Sequence, residues 1–144
     1  MRIRYVVLVV ALFSLTACMS WFGGHKSNAP SHQALMRSLT GQVEYNLSQP
    51  VPADAWLEVT LADVSRMDAP SRVIAQERIA PAGTSPVEFL LSYDPTDLKQ
   101  GVDFAVSARL QQGDKLLAIN DERVSVLGRS GQSGPLRVVL KAVP

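Results

Sequence analysis

The sequence has few of the residues on which most catalytic and metal sites depend. It contains one cysteine, Cys18, and two histidines, His25 and His32, and neither type occurs from Thr40 onward. A domain without them lacks the Ser-His-Asp and Cys-His schemes of hydrolases and the usual ligands of zinc enzymes. Phosphate-binding and dinucleotide-binding fingerprints are also absent. We therefore predict that the protein is not an enzyme and that it holds no metal ion.

Charge of one sign is also lacking. The sequence carries 14 basic and 13 acidic side chains, for a formal net charge of +1. Nucleic-acid binding needs a concentrated basic face, so we expect no nucleic-acid partner. The length of 144 residues suits a single domain of ordinary size.

The most informative stretch is the N-terminal one. Two arginines, Arg2 and Arg4, precede an apolar run over 5–15 that is too short to cross roughly 30 Å of hydrocarbon as a helix. The run has the length of the apolar region of an export signal. It ends in Leu15, Thr16, Ala17 and Cys18, in the order of a bacterial lipobox.

The lipobox predicts a signal peptide over 1–17 and covalent lipid on Cys18. The thiol would take a diacylglyceryl thioether, and the amine freed by cleavage would take an acyl chain such as palmitate. Two or more chains give stable membrane anchoring, so we expect no cofactor besides this lipid. Met19, rather than aspartate, follows the cysteine. This favours an outer-membrane lipoprotein that faces the periplasm, with the inner membrane as the alternative.

Residues 18–39 are rich in glycine, serine, asparagine and proline and are predicted to form the lipidated N-terminus and a flexible linker. Residues 40–144 are predicted to form one domain. There, apolar and polar residues alternate in short runs over 41–47, 55–61, 73–79, 87–93, 104–110, 116–119, 124–127 and 136–143. Alternation between turn residues indicates strands. We predict an all-β fold, an antiparallel β-sandwich of seven or eight short strands, with a small β-barrel as the alternative.

Three segments of this domain resemble the YbaY/YscW-type lipoproteins. Residues 55–65 resemble their A-x-L-x-V-x-L-x-D-V-S run, 85–94 their P-x-x-F-x-L-x-Y-D segment, and 104–117 their Y-x-V-x-A-R-I…G-x-L hairpin. The resemblance implies a β-sandwich lipoprotein. Some family members are pilotins, which bind secretin subunits of type III secretion and help them reach the outer membrane. The resemblance therefore implies a non-catalytic binding or chaperone module with an envelope or secretin-type partner.

A possible ligand or partner face is formed by Trp56, Arg109, Arg123 and Arg137, which alternation places on outward positions or between strands. Arginines on one sheet face suit an acidic partner or a sugar phosphate, so a glycan-binding or small-ligand-binding lipoprotein is the alternative function. The other interpretation is a solvated face with cross-strand pairs to Glu58, Glu77 or Glu88, and we favour it.

Asp63, Ser65 and Asp68 form a second polar group. A calcium site needs about six to eight oxygen ligands, and three candidates are too few. Local side-chain-to-backbone bonds at the end of a strand are the better interpretation.

Overall fold

The computed structural model describes residues 35–144, and eight strands form nearly all of the regular structure there. In chain order the strands are β1 (Arg37–Tyr45), β2 (Trp56–Asp63), β3 (Arg72–Ile79), β4 (Val87–Tyr93), β5 (Phe104–Gln112), β6 (Lys115–Ile119), β7 (Val124–Val126) and β8 (Leu136–Ala142). Two 3₁₀ turns, Pro95–Leu98 and Gly128–Ser130, complete the regular elements. Between residues 35 and 144 there is no helix with the length and apolarity needed to cross a membrane.

The strands form because apolar side chains recur at every second residue and can be buried on one face. In β2, Leu57, Val59 and Leu61 are completely buried, while the residues between them are only partly covered. In β4 the buried set is Phe89, Leu91 and Tyr93. The inward faces of all the strands meet in a single core.

All strands belong to one sheet in the order β3-β2-β5-β6-β8-β1-β4, and β7 pairs with β5 outside this path. Neighbours are antiparallel except β1 and β8, which are parallel. The sheet curls until its two edge strands, β3 and β4, approach each other, and the backbone N–H of Leu90 donates to Glu77 Oε2 across the gap at 2.7 Å. We call this gap the seam.

The all-β prediction is confirmed, and the arrangement is the small barrel that stood as the alternative to the sandwich. Two expectations need correction: there is one nearly closed sheet rather than two layers, and one strand pair is parallel. The linker boundary also shifts, because β1 begins at Arg37 and Leu39 is fully buried.

The strand register defines two ends of the barrel. Arg37 lies opposite Tyr93, and Asp63 lies opposite both Arg72 and Phe104. The chain that leads into β1 therefore meets the loops 64–71, 94–103 and 127–135 at one end, which we call the entry end. The segments 46–55, 80–86 and 113–114, together with residues 143 and 144, lie at the opposite end, the far end.

Candidate functional site

Trp56 and Arg109, two residues of the predicted face, do lie on the outer surface of neighbouring strands. Glu58 lies directly opposite Arg109 in the β2–β5 register, and their side chains form an ion pair. Glu58 is nearly covered, with 12% of its side chain exposed, whereas Arg109 is 47% exposed. This is a cross-strand pair of the kind expected for a solvated face, so the charge of Arg109 is already balanced.

Arg78 is a member of this surface that the sequence did not reveal. It lies opposite Glu58 on the other neighbour, β3, and its guanidinium carbon is 4.0 Å from the centroid of the Trp56 ring. A cation over an indole face is a favourable contact. One face of Trp56 is therefore occupied by the protein itself.

The other two arginines lie elsewhere. Arg137 is on β8, where its Nε and Nη2 donate to the two carboxylate oxygens of Glu44, each at 2.7 Å. The hydrogen bonds from Arg137 lower the pKa of Glu44, and the same bonds raise the pKa of Arg137. Arg123 is exposed just before β7. Arg109 and Arg137 are thus paired with different carboxylates on different strands, and the structure does not join the three arginines into one patch.

A polar cluster built around Asp63 and Ser65 closes the entry end. The backbone N–H and the hydroxyl of Ser65 donate to Asp63 Oδ1, at 3.0 and 2.5 Å. The Ser65 hydroxyl oxygen in turn accepts from the backbone N–H groups of Val102 and Asp103, at 2.9 and 3.1 Å. One short side chain thereby fastens the end of β2 to the loop that leads into β5.

Electrostatics and close packing both hold Asp63 in this position. The hydroxyl and backbone hydrogen bonds from Ser65 lower the pKa of Asp63, and the nearby Arg72 guanidinium, 3.6 Å away, lowers it further. The carboxyl group also rests on Gly101, where an added Cβ would lie 2.6 Å from Asp63 Cγ. Only glycine leaves room for this contact.

The cluster does not have the composition of a cation site. Asp68, the third candidate ligand, is exposed. Nowhere in residues 35–144 do three or more histidine, cysteine, aspartate or glutamate side chains converge as metal ligands. The bonds that Asp63 and Ser65 make are local bonds at a strand end and across to one neighbouring loop.

The seam is where the sheet does not close. β3 and β4 each pair with a neighbour on one side only, so each has one edge without a partner strand. A groove of about 410 Å³ runs beside it, lined in part by Glu77, Glu88, Phe89 and Leu90. Leu90 is an apolar side chain beside this edge and is 51% exposed.

The predicted lipid attachment site, Cys18, lies outside the described residues, together with the rest of the lipobox, Leu15, Thr16 and Ala17. The signal peptide over 1–17 and most of the linker lie outside them as well. These features remain predictions from the sequence.

The described domain is a single curled sheet with a bridged seam and a hydrogen-bonded entry end. It lacks the histidine and cysteine side chains on which common catalytic centres rely. These features define a small β-barrel domain with an open seam.

Residues 34–138 match the family described as type III secretion system lipoprotein chaperone (YscW). The chain belongs to this family. The resemblance inferred from the three sequence segments is therefore confirmed.

Two relatives have matching sequences or structures. The chain is 36% identical over 103 residues to the uncharacterized lipoprotein YbaY of Escherichia coli (strain K12). That match covers 71% of this chain and 54% of the relative, so the chain spans about half the length of this protein. The structure is similar to that of an alternative pilotin from the type II secretion system of Vibrio cholerae, with a TM-score of 0.70 and 33% identity over 76% of this chain and 98% of the pilotin.

Proposed function

We propose that this protein is a lipid-anchored, pilotin-like chaperone that binds an extended segment of a secretin-type outer-membrane protein along the seam between β3 and β4. Its family and its similarity to a type II secretion pilotin support the class of partner. The observation that carries the binding mode is the seam itself, where two strand edges face each other without pairing.

An unpaired strand edge offers a row of backbone donors and acceptors to another chain. Addition of a partner strand supplies main-chain hydrogen bonds, and side-chain pockets beside the edge supply specificity. Here Glu77 already takes one such donor, the N–H of Leu90. A partner strand on β4 would replace this single side-chain bond with a ladder of backbone bonds and would cover Leu90.

The same proposal assigns the anchor to Cys18 and the location to the periplasmic side of the outer membrane, with the inner membrane as the alternative. A lipid-anchored chaperone holds its partner near the membrane into which the partner is to be inserted. In this proposal the domain provides the binding surface, and the lipid anchor determines the membrane at which the protein acts.

Glycan binding receives less support from the geometry. Sugars commonly stack on exposed aromatic faces, and one face of Trp56 is covered by Arg78. The neighbouring Arg109 is paired with Glu58. A sugar would have to displace both contacts to use this face.

The test is site-specific crosslinking in cells that produce the lipidated protein. A photoreactive benzoylphenylalanine replaces Leu90 at the seam or, in a matched control, Ile119 on β6. Both are outward apolar strand residues, and they are 51% and 41% exposed. Ile119 lies opposite Arg109 on one side and Lys141 on the other, so its position offers no free edge.

We expect a crosslink from position 90 to a secretin-type outer-membrane protein and none from position 119. Loss of the chaperone should also leave that protein outside the outer-membrane fraction. Equal crosslinking from both positions, or crosslinks from position 90 only to lipoprotein-processing enzymes, would contradict strand addition at the seam.

A further inference from the structure

A polar cavity at the entry end lies beside a fully exposed methionine. The cavity has a volume of about 280 Å³, and its polar lining includes Asp63, Arg66, Arg72 and Gln100. The residue that follows Arg66, Met67, is 102% exposed. An apolar side chain with no cover, next to arginines in a cavity, is not explained by the packing of the domain.

The donors in this cavity suit an anion. Arg72 Nη2 lies 3.6 Å from Asp63 Oδ2 and donates to the backbone oxygen of Asp97. The Arg72 side chain is still 43% exposed. Arg66 is exposed and forms no ion pair with another residue of the described chain. Guanidinium groups bind phosphate oxygens well, because two N–H donors can point to one phosphate.

Two carboxylates near the cavity already have partners. Asp63 accepts two hydrogen bonds from Ser65, and Asp103 is 3.7 Å from Arg129. An anion in the cavity would therefore meet guanidinium groups next to carboxylates whose charge is partly balanced. The attraction is local to the cavity, because the entry end as a whole carries both signs of charge.

The position of the cavity indicates which anion it would meet. The chain that leads back toward Cys18 leaves the barrel at this end, through Met36, which is 41% exposed. Val102, in another loop of the same end, is 50% exposed. Apolar tips beside arginines are the side chains that enter the boundary between lipid headgroups and acyl chains.

We propose that the entry end rests on the membrane surface, with a phospholipid headgroup phosphate in the Arg66–Arg72 cavity and Met67 inserted beside it. This inference depends on the proposed lipid anchor at Cys18 and adds an orientation to it. The far end and the seam would then remain accessible from the periplasm. The anchor alone would let the domain turn freely, whereas this contact fixes which end meets the lipid.

The test uses the lipidated full-length protein with Met67→Cys, in which the thiol at position 67 is the only free one because lipid occupies Cys18. An environment-sensitive NBD dye is attached there, and the protein is reconstituted into vesicles of phosphatidylethanolamine and phosphatidylglycerol or of phosphatidylcholine alone. The matched control is Val143→Cys at the far end, a position that is 39% exposed. The measurements are the NBD emission maximum and its quenching by aqueous iodide.

We expect a blue shift and loss of iodide quenching at position 67 in the phosphatidylglycerol vesicles, and neither change at position 143. Adding Arg66→Gln should restore quenching at position 67 while the protein still floats with the vesicles. Equal quenching at positions 67 and 143, or protection that persists in Arg66→Gln, would overturn the proposal.

Two further results separate the sources of the effect. If inorganic phosphate produces the same spectral change in detergent without vesicles, the cavity binds free anions and the lipid assignment is wrong. If the protein does not float with vesicles at all, the Cys18 anchor is wrong and this inference fails with it. Crosslinking at position 90 reports on the seam independently of either result.

Discussion

The two ends of the barrel are closed by different chemistry. At the entry end, an ionised carboxylate and a hydroxyl, Asp63 and Ser65, hold the loops together through hydrogen bonds. At the far end, the hydroxyl of Tyr45 donates to the backbone oxygen of Gly83 at 3.0 Å, and its backbone N–H donates to Ser85 Oγ at 2.9 Å. Tyr45 is buried, and burial raises its pKa. The entry end therefore depends on a group that must stay charged, and the far end on one that must stay neutral.

The two ends also differ in how their loops are held in place. The groove at the far end has a mixed lining, in which Leu47 and Pro50 lie beside Gln112 and Lys115. Both ends use directional bonds, but those of the entry end involve a charged side chain and place its loops relative to the chain leading into β1. If this end meets the membrane, as we propose, the directional bonds would transmit the orientation of the anchor to the whole barrel.

The largest effect that would test this contrast is expected from Ser65→Ala. The substitution leaves the N–H groups of Val102 and Asp103 without their acceptor and removes the hydroxyl bond to Asp63, while the backbone bond from residue 65 to Asp63 stays. Water can reach the N–H of the exposed Val102, whereas the Asp103 bond is half-buried. A buried donor without a partner costs about 1–3 kcal/mol, so we expect the free energy of unfolding in urea to fall by about 1–2 kcal/mol.

Ser107→Ala is the matched control, because Ser107 is exposed on the outer face of β5. Surface changes of this type remain within about 0.5 kcal/mol. Equal losses in the two variants would mean that the polar cluster does not hold the entry end, and the contrast between the ends would disappear.

A smaller effect is expected at the far end from Tyr45→Phe. The ring and its packing are kept. Only the hydroxyl is lost, which donates to the backbone oxygen of Gly83 at 3.0 Å and lies 3.4 Å from that of Ala82, and this loss costs about 0.5–1.5 kcal/mol. The variant also tests the pH dependence at the alkaline side. With a raised pKa in the folded state, Tyr45 contributes stability below the unfolded tyrosine pKa of about 10, and this contribution is lost as the pH rises through the folded pKa.

Urea unfolding of the wild type and Tyr45→Phe between neutral and alkaline pH measures this contribution. The gap between the two proteins should narrow as the pH rises, because the phenol that distinguishes them becomes ionised in the unfolded wild type. A constant gap would show that burial of the hydroxyl does not affect its ionisation.

The positions of the strands could be predicted from the sequence, but the order in which they pair in the sheet could not. Alternation placed Leu57, Val59 and Leu61 on one face because each strand must bury one side, and this requirement is local. It is the same in a sandwich and in a barrel, so the single sheet and the parallel β1–β8 pair could not be derived from it. The order of strands depends on which strand edges pair, and the alternation of apolar and polar residues within a strand does not determine this.

The candidate site shows the same limit. The contact of Arg78 with Trp56 depends on the β2–β3 register, and the bonds of Ser65 to Val102 and Asp103 join residues almost forty positions apart. The expected pairing of Arg109 with Glu58 could be proposed, because the two residues lie on outward positions of strands with complementary charge. The Glu77–Leu90 bridge could not, because it forms only when the sheet curls enough for its edges to approach.

The smallest effect is predicted for the stability of Asp63→Asn at acidic pH, because Asp63 is only one of 13 acidic side chains. Its hydrogen bonds from Ser65 lower its pKa in the folded state. The stability that it contributes is therefore present above the unfolded aspartate pKa of about 3.9 and is lost as the pH falls through the lowered folded value. Asp63→Asn removes this titration, so the fall of its free energy of unfolding below about pH 4 should be shallower than in the wild type.

The matched control is Asp121→Asn, which removes another carboxylate with a lowered pKa, held by Lys141 on the protein surface. Exposed ion pairs are screened by salt, so raising the salt concentration should abolish the acid-side difference between wild type and Asp121→Asn. The difference for Asp63→Asn should persist, because its main cause is the pair of hydrogen bonds from Ser65 rather than the charge of Arg72. If salt reduced the acid-side difference equally for Asp63→Asn and Asp121→Asn, the closure of the entry end would depend on surface charge. Its hydrogen-bonded cluster would then not differ from an ordinary exposed ion pair.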